Sequence, residues 1–430
     1  MKFLMTLFQI QDYGGIINHA EHLAKGLKEL GHDVDFVMLV PKEKIIERRT
    51  PPKDLDQYRK NGTGFYFHQA RGWYGIPKIP YISKASRDAF KERCSKYDAV
   101  LWHIPVPTLS KENKDVRSWL ELYDHGSKNI AIVHDGNLPE LYPHLNYVAQ
   151  HFHAAVCVHE SALVSGHMLQ IPHKMIVNPF DVTGLDGWTD FDRRSGFAAI
   201  QVFKAWKRVD TLIRAIPEMS NTENRFVGGA GIEYRYMTSE DKCKPKYFTE
   251  SGDRIWDRAL RYGMTYMGTV PSDVVYQTLR EVKLQIDPSY SKKYSSFGAH
   301  FNRTTVEAII CGAVPVATDW GMKNSLLFSP GVNYIEIPAG CAPTMFADII
   351  DDALTDKNQW LNIKEENLKL VDRFDMRNVA QEYVDLVDSV AGCTVGTADA
   401  KALERCNANL GFFGIPPVDD LQAHQTNAAG

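Results

Sequence analysis

The sequence predicts an α/β protein of two tandem Rossmann-like domains, and three observations carry that prediction. Short apolar strands alternate with amphipathic helices along most of the chain, the pattern of parallel sheets covered by crossover helices. The alternation runs twice, interrupted by a polar, Asp- and Gly-rich stretch near 181–195. A length of 430 residues exceeds what one hydrophobic core supports and suits two domains of about 200 residues each.

The first series opens with MKFLMTLF, an apolar run that reads as a buried parallel strand. One Lys before an apolar run also begins a signal peptide, but Gln9, Gln11 and Asp12 end the run without an A-x-A site. A Gly14-Gly15 loop leads into a helix over INHAEHLAKGLKEL, with Ile16, Ala20, Leu23, Ala24, Leu27 and Leu30 at helical spacing. Gly31 stops this helix where a left-handed residue is expected, and DVDFVMLV is the next strand. YDAVLWH (97–103), NIAIVH (129–134), AAVCVH (154–159) and KMIVN (174–178) follow as strands.

The second series has strands GFAAIQV (196–202), NRFVGG (224–229), MTYMG (264–268), LQIDPS (284–289), VPVATD (314–319) and YIEIP (334–338). Helices are expected between them at about 207–219, 271–282, 303–312 and 342–355. The expected domains are therefore 1–180 and 181–375, followed by a terminal helix at 376–391 that is placed to cross back to the first domain. Residues 392–430 are small, polar and punctuated by Gly and Pro, and read as a tail. In open α/β sheets ligands bind beyond the carboxyl ends of the strands, so two such sheets predict a deep interdomain cleft.

Composition narrows the function classes. Hydrophobic residues are 44% and charged residues 24%, which excludes a disordered or collagen-like chain. Seven cysteines without a CxxC pair read as reduced thiols, an expectation of a cytoplasmic protein. No stretch approaches 18 apolar residues, so no membrane span is expected. A net charge of −4 excludes general coating of nucleic acid but not a local basic face. Residues 41–96 form such a stretch, a basic insertion with fourteen Lys/Arg against six Asp/Glu. Tyr58, Phe65, Tyr66, Phe67, Trp73, Tyr74 and Tyr81 are interleaved with the cations. Basic residues mixed with aromatics suit phosphate contacts and a stacked or flipped base; a solvated, partly packed insertion is the competing reading.

Four motifs fall in strand-to-helix loops. Gly14 and Gly15 let backbone N–H groups approach a phosphate or sugar, although no GxGxxG is present and a plain tight turn fits equally. His134 and Asp135 end a strand and can present two hydrogen-bonding groups, or form a satisfied His and an Asx-turn before Pro139. Lys204, Lys207 and Arg208 put cations between a strand and its helix, which suits a diphosphate or merely a solvated helix start. Arg303, Thr304 and Thr305 open a helix with Glu307 in its first turn. Such N–H groups can hold a phosphate and a carboxylate a ribose diol, unless Glu307 only compensates the helix dipole. His151-Phe152-His153 lacks a third ligand at suitable spacing, so no metal site is expected.

In order and spacing these residues resemble the GT-B nucleotide-sugar glycosyltransferases of the retaining branch. The resemblance rests on GHDVDFV, the region around Lys207, and VEAIICGAVPVATDWG. It is closest to the DNA α-glucosyltransferases of T-even phages. That likeness includes the Gly15 loop, YDAVLWHIPVPT, His134-Asp135, His159-Glu160-Ser161, Val177-Asn178 and Trp206-Lys207. It extends through Thr304 to Glu307, Cys311-Gly312 and Pro315-Val316, and leaves residues 41–96 and 392–430 uncovered.

The resemblance implies a retaining enzyme that moves a sugar, glucose by family default, from a UDP-sugar to hydroxymethylated pyrimidine in double-stranded phage DNA. It makes 1–180 the acceptor-binding domain and 181–375 the donor-binding domain. Lys207 is implied to bind the donor diphosphate, Glu307 the ribose, and Gly14, Gly15, Lys204, Arg303 and Thr304 the rest of the donor. His134 and Asp135 are the implied catalytic pair beside the reacting sugar. Arg48, Arg49, Lys53, Arg71, Trp73 and Lys78 are the candidate DNA contacts. No cofactor is implied, a divalent cation is compatible but not indicated, and the setting would be the infected host cytoplasm for a phage-encoded chain. The chain departs from the family at Val202, where an Arg is expected, and at Ala299, where the wider superfamily but not the phage branch has a Glu. A transferase for cell-surface polysaccharide or a lipid-linked acceptor, and a non-catalytic nucleotide-sugar or DNA-binding module, are the other readings.

Overall fold

The computed structural model describes residues 1–7, 15–41, 65–70, 84–103, 121–134, 151–160, 162–163, 166, 169, 171–183, 190–220, 223–228, 232–290, 301–322 and 325–390. The chain forms two compact units, Met1–Asp181 together with the chain from Asp375, and Val182–Phe374.

The first unit is built on a parallel sheet of seven strands: β1 (Lys2–Leu7), β2 (Asp33–Pro41), β3 (Phe65–Ala70), β4 (Ala99–Trp102), β5 (Lys128–Val133), β6 (Ala154–Cys157) and β7 (His173–Met175). Their spatial order is β3-β2-β1-β4-β5-β6-β7. The order reverses between β1 and β4, so the strand ends there flank a switch point, where ligands bind in such sheets. Strands buried on both faces must be apolar throughout, and Phe3, Leu4, Met5, Val100, Leu101, Ile130, Ala131 and Ile132 are fully buried.

Helix α1 (Gly15–Glu29) follows β1, and α2 (Lys84–Cys94) precedes β4. Ala20, Leu23, Ala24 and Leu27 make the buried stripe of α1, which packs on the C-terminal helix Met376–Ser389. Asp375 caps that helix, its carboxylate accepting from the amides of Arg377 at 2.8 Å and Asn378 at 3.3 Å. A backbone bond from Met376 N–H to Phe180 O, 2.9 Å, ties the helix start to the end of the Rossmann core.

The strand β3 lies inside the stretch read from sequence as a basic insertion. It pairs parallel to β2 with Phe36 opposite Phe65 and Pro41 opposite Ala70, extending the sheet by an edge strand. Its place within a stretch rich in Lys and Arg conceals the six-residue pattern in the sequence, whereas pairing with β2 supplies its backbone partners.

The second unit carries a parallel sheet of six strands in the order β10-β9-β8-β11-β12-β13. These are β8 (Phe197–Ile200), β9 (Asn224–Val227), β10 (Met264–Gly268), β11 (Leu284–Asp287), β12 (Val314–Thr318) and β13 (Ile335–Ile337). Its helices are α3 (Val209–Ala215), α4 (Ile232–Thr238), α5 (Ile255–Arg261), α6 (Ser272–Glu281), α7 (Arg303–Cys311), α8 (Asp319–Met322), α9 (Pro343–Thr355), α10 (Lys357–Leu368) and α11 (Val371–Phe374). Alternation along the strands serves two cores. Phe197, Leu284, Ile286 and Val316 face one cluster with α3 and α9, while Ala198 and Ile200 face Leu279, Ala308 and Cys311 of α6 and α7. Gly312, at φ 76°, ends α7 in the left-handed conformation and turns the chain into β12.

The helices α4, α5 and α10 were not expected from the sequence. The first two have seven residues each, too short for a clear 3.6-residue repeat. Among the described residues no helix is long and apolar enough to cross a membrane, and every cysteine is free.

Candidate functional site

The expected donor residues of the second unit gather where β8 and β11 end and α3 and α7 begin. The chain leaves β8 through Val202, which is exposed, and enters a short 3-10 turn at Ala205–Lys207 in place of the helix start expected at 207. Arg208 then adopts φ 47°, the left-handed conformation that a residue other than glycine rarely takes, before α3 begins. Among the described residues it is the one non-glycine with positive φ. This kink folds the Lys207 side chain into the protein, leaving it 8% exposed.

The buried ammonium of Lys207 donates to Asn302 Oδ1, and Asn302 Nδ2 donates to Asp287 Oδ2. Asp287 ends β11, and its other oxygen accepts from Gln201 Nε2 at 2.9 Å, from Ser289 N–H at 3.1 Å and from Ser289 Oγ. Burial pushes the Lys207 pKa down to about 8, with Lys204 adding to the effect and the Asp287 charge opposing it. The Lys207 Nζ lies 4.3 Å from the centre of the Trp206 ring, and the exposed Lys204 Nζ lies 6.0 Å from the same ring. Two cations thus flank one indole.

Helix α7 supplies the next group. Asn302 occupies its N-cap position without making a side-chain cap, so the first N–H groups of the helix are not spent on that side chain. Glu307 sits one turn further in than the sequence reading placed it, and the first turn holds no acid. Its Oε1 accepts from Arg303 Nε at 3.2 Å, an i,i+4 pair with side chains 13% and 10% exposed. Burial raises the Glu307 pKa, and Arg303 pulls it back toward the ionised form. The same environment raises the Tyr276 phenol, through burial first and the Glu307 charge second. Thr304 is half-buried, and Thr305 Oγ1 is buried with no hydrogen-bond partner among the described residues.

In the first unit Gly15 is the first residue of α1. A Cβ there would meet nothing within 4 Å among the described residues. His134 follows β5 and sits within a histidine cluster. Its Nε2 is 3.4 Å from His103 Nδ1, and the His19 ring stands edge-on to it with centroids 5.0 Å apart. His19 is fully buried between Asn178 Oδ1 at 2.8 Å and Tyr383 OH at 3.2 Å. His159 is neutral by its partners. Its Nδ1 accepts from Ala162 N–H at 3.1 Å, so its Nε2–H donates to His134 O at 2.9 Å. Burial lowers its pKa to about 4.

Gly14, Asp135, Ala299, Arg48, Arg49, Lys53, Arg71, Trp73 and Lys78 lie outside the described residues. Sequence reasoning missed Asp287, Asn302 and Gln201 in one unit and His19 and His103 in the other. Asp287 carried a usable signal, a carboxylate at the carboxyl end of an apolar strand. Asn302 did too, as a capping residue type directly before a helix.

No protein-family model matches the sequence, and no curated protein matches it. Solved structures do match. The Anabaena protein HepE, solved with UDP, aligns at TM-score 0.66 and 15% identity, covering 90% of this chain and all of that one. The pneumococcal O-GlcNAc transferase GtfA, solved with UDP and GlcNAc, aligns at TM-score 0.63 and 11% identity over 91% of this chain and 99% of its own. A T4 alpha-glucosyltransferase, solved with UDP-glucose and DNA containing an abasic site, aligns at TM-score 0.61 and 11% identity, covering 90% and 99%. The chain therefore has the GT-B fold, the two-domain architecture of nucleotide-sugar glycosyltransferases.

Proposed function

We propose that the protein is a retaining glycosyltransferase that transfers a sugar from a UDP-sugar to hydroxymethylated pyrimidine in double-stranded DNA. The observation that carries the donor half is the buried, charged Lys207 beside the uncapped start of α7. A buried cation without a carboxylate in direct contact suits a diphosphate, and the positive end of the α7 dipole adds to the same field. Glu307, paired with Arg303, takes the ribose hydroxyls, and Lys204 provides the second cation where Val202 replaces the family's arginine. Arg303 is less suited to that replacement because its Nε is engaged by Glu307.

In the proposed reaction the bond from the anomeric carbon to the β-phosphate oxygen breaks as the acceptor hydroxymethyl oxygen bonds to the same face. The hydroxyl proton passes to the departing phosphate oxygen. Lys207 and Lys204 stabilise the charge that develops on that phosphate, which is where such a mechanism needs help. His134 and Asp135 are assigned to the reacting sugar, Gly14 and Gly15 to the donor, and Arg48, Arg49, Lys53, Arg71, Trp73 and Lys78 to the DNA. The acceptor half is supported by the basic, aromatic-rich stretch at 41–96 and by a DNA-bound enzyme among structures of the same fold.

The test is to incubate the protein with hydroxymethylated or plain duplex DNA and a panel of nucleotide sugars, then digest to nucleosides for mass spectrometry. The expected result is a hexose mass on the hydroxymethylated pyrimidine alone, with UDP-glucose as donor. Donor hydrolysis without any mass shift on DNA would favour a saccharide acceptor instead. That second reading is favoured by a lipopolysaccharide outer core galactosyltransferase, WaaB, among the structures of like fold.

A further inference from the structure

Asn302 occupies a position where its residue type normally caps a helix, yet its side chain makes no cap. Both ends of the amide are used elsewhere, between an ammonium 95 residues earlier in the chain and a carboxylate 15 residues earlier. The orientation of the amide follows from its partners. A carboxylate only accepts, so the NH2 end must face Asp287 and the carbonyl end must face Lys207. Asp287 is itself locked by Gln201 and Ser289 on its other oxygen.

We propose that Asn302 and Asp287 are positioning residues that hold Lys207 aimed and charged for the donor diphosphate while keeping carboxylate and ammonium out of direct contact. A direct Lys–Asp pair would neutralise the cation locally and compete with the phosphate for its protons. One amide spacer removes that competition. The carboxylate still acts through space, because Asp287 is the charge that offsets part of the burial effect on Lys207. The arrangement also keeps the Asn302 side chain off the start of α7, whose positive dipole end faces the same region. This inference deepens the proposed function and rests on Lys207 as the diphosphate ligand.

The experiment titrates UDP into the full-length protein and into Lys207→Ala, Asn302→Asp and Asp287→Asn, at pH 7 to 10, with thermal melts of each. Asn302→Asp is the informative variant, because it puts a carboxylate directly against the Lys207 ammonium. Its melting temperature should fall modestly, because two carboxylates then meet where an amide donated to Asp287, while UDP affinity falls roughly tenfold, the effect of competing for one charge-assisted contact. The alkaline weakening of binding should move to higher pH in Asn302→Asp and to lower pH in Asp287→Asn. A merely structural role for the pair would not produce opposite shifts. Wild-type affinity for UDP in Asn302→Asp, with Lys207→Ala impaired, would overturn this inference alone. A wild-type protein that does not bind UDP, or a Lys207→Ala variant that binds it normally, would overturn the proposed function and this inference together.

Discussion

Arg303 reaches one turn along α7 to place its Nε 3.2 Å from Glu307 Oε1, and the two side chains are almost removed from solvent. Taking both charges out of water is costly, and each is tolerable because the other is present. Arg303 is thus tied to Glu307, whose ionised form it favours against the effect of burial, and this limits what else it can do at the start of α7.

Substituting Arg303→Gln leaves the carboxylate buried without its cation, and its pKa rises further above 4.5. A raised folded-state pKa leaves stability intact below the ordinary carboxylate value and removes it as pH rises through the folded value. The variant should therefore lose about 3 kcal/mol at pH 8 and much less at pH 4. Urea denaturation at the two pH values checks this, and an equal loss at both would contradict the charge argument.

Lys207 has a pKa near 8, so the ammonium is present at neutral pH and is lost above that value. Affinity for UDP should be flat from pH 7 to 8 and then weaken toward tenfold per pH unit, until the raised pKa of the complex is passed. Calorimetric titration at pH 7 and pH 9 measures the effect. Lys207→Arg should abolish this pH dependence, because a guanidinium stays charged throughout.

Two buried histidines make the first unit sensitive to acid. His159 and His125 have pKa values lowered to about 4 by burial, against 6.5 when free. The unfolded chain therefore binds protons that the folded chain does not, and stability falls as pH drops below 6.5. Each should cost about 2 kcal/mol at pH 5 relative to pH 8. Denaturation of His159→Gln should show a smaller difference between the two pH values than the wild type.

Packing of α1 on the C-terminal helix depends on Gly26. A Cβ there would lie 2.7 Å from the carbonyl carbon of Met376 and 3.0 Å from Ala380 Cβ. The neighbour is backbone at a capped helix start and cannot swing aside as a side chain would. Gly26→Ala should destabilise by about 3 kcal/mol, read by denaturation, with Lys25→Ala as an exposed control expected within about 0.5 kcal/mol.

Charge reversal of Arg48, Arg49 and Lys53 together should weaken duplex binding and flatten its dependence on salt, since each phosphate contact contributes to that slope. Donor affinity should stay unchanged. Loss of UDP affinity with duplex binding intact would remove the acceptor assignment.

The sheets were legible because strands buried on both faces read as mostly apolar runs, as KFLMTL, NIAIV and VPVAT do. The edge strand FYFHQA was not, because its partners lie in β2 and it sits within a stretch rich in Lys and Arg. Lys207, Arg303 and Glu307 could be named from their place between strand and helix. That Glu307 belongs to Arg303, and lies beyond the first turn, is a matter of helical geometry and burial.

The sequence by itself determined two parallel α/β sheets and the strand-to-helix loops between their elements, since hydrophobic period and glycine punctuation are local properties. Only the tertiary structure decided which groups meet there. The chain Lys207–Asn302–Asp287 joins residues up to 95 positions apart, and His19 meets Asn178 and Tyr383 across still longer separations. Such partnerships follow from strand order and burial, which take charges out of water and force each polar atom to find a neighbour.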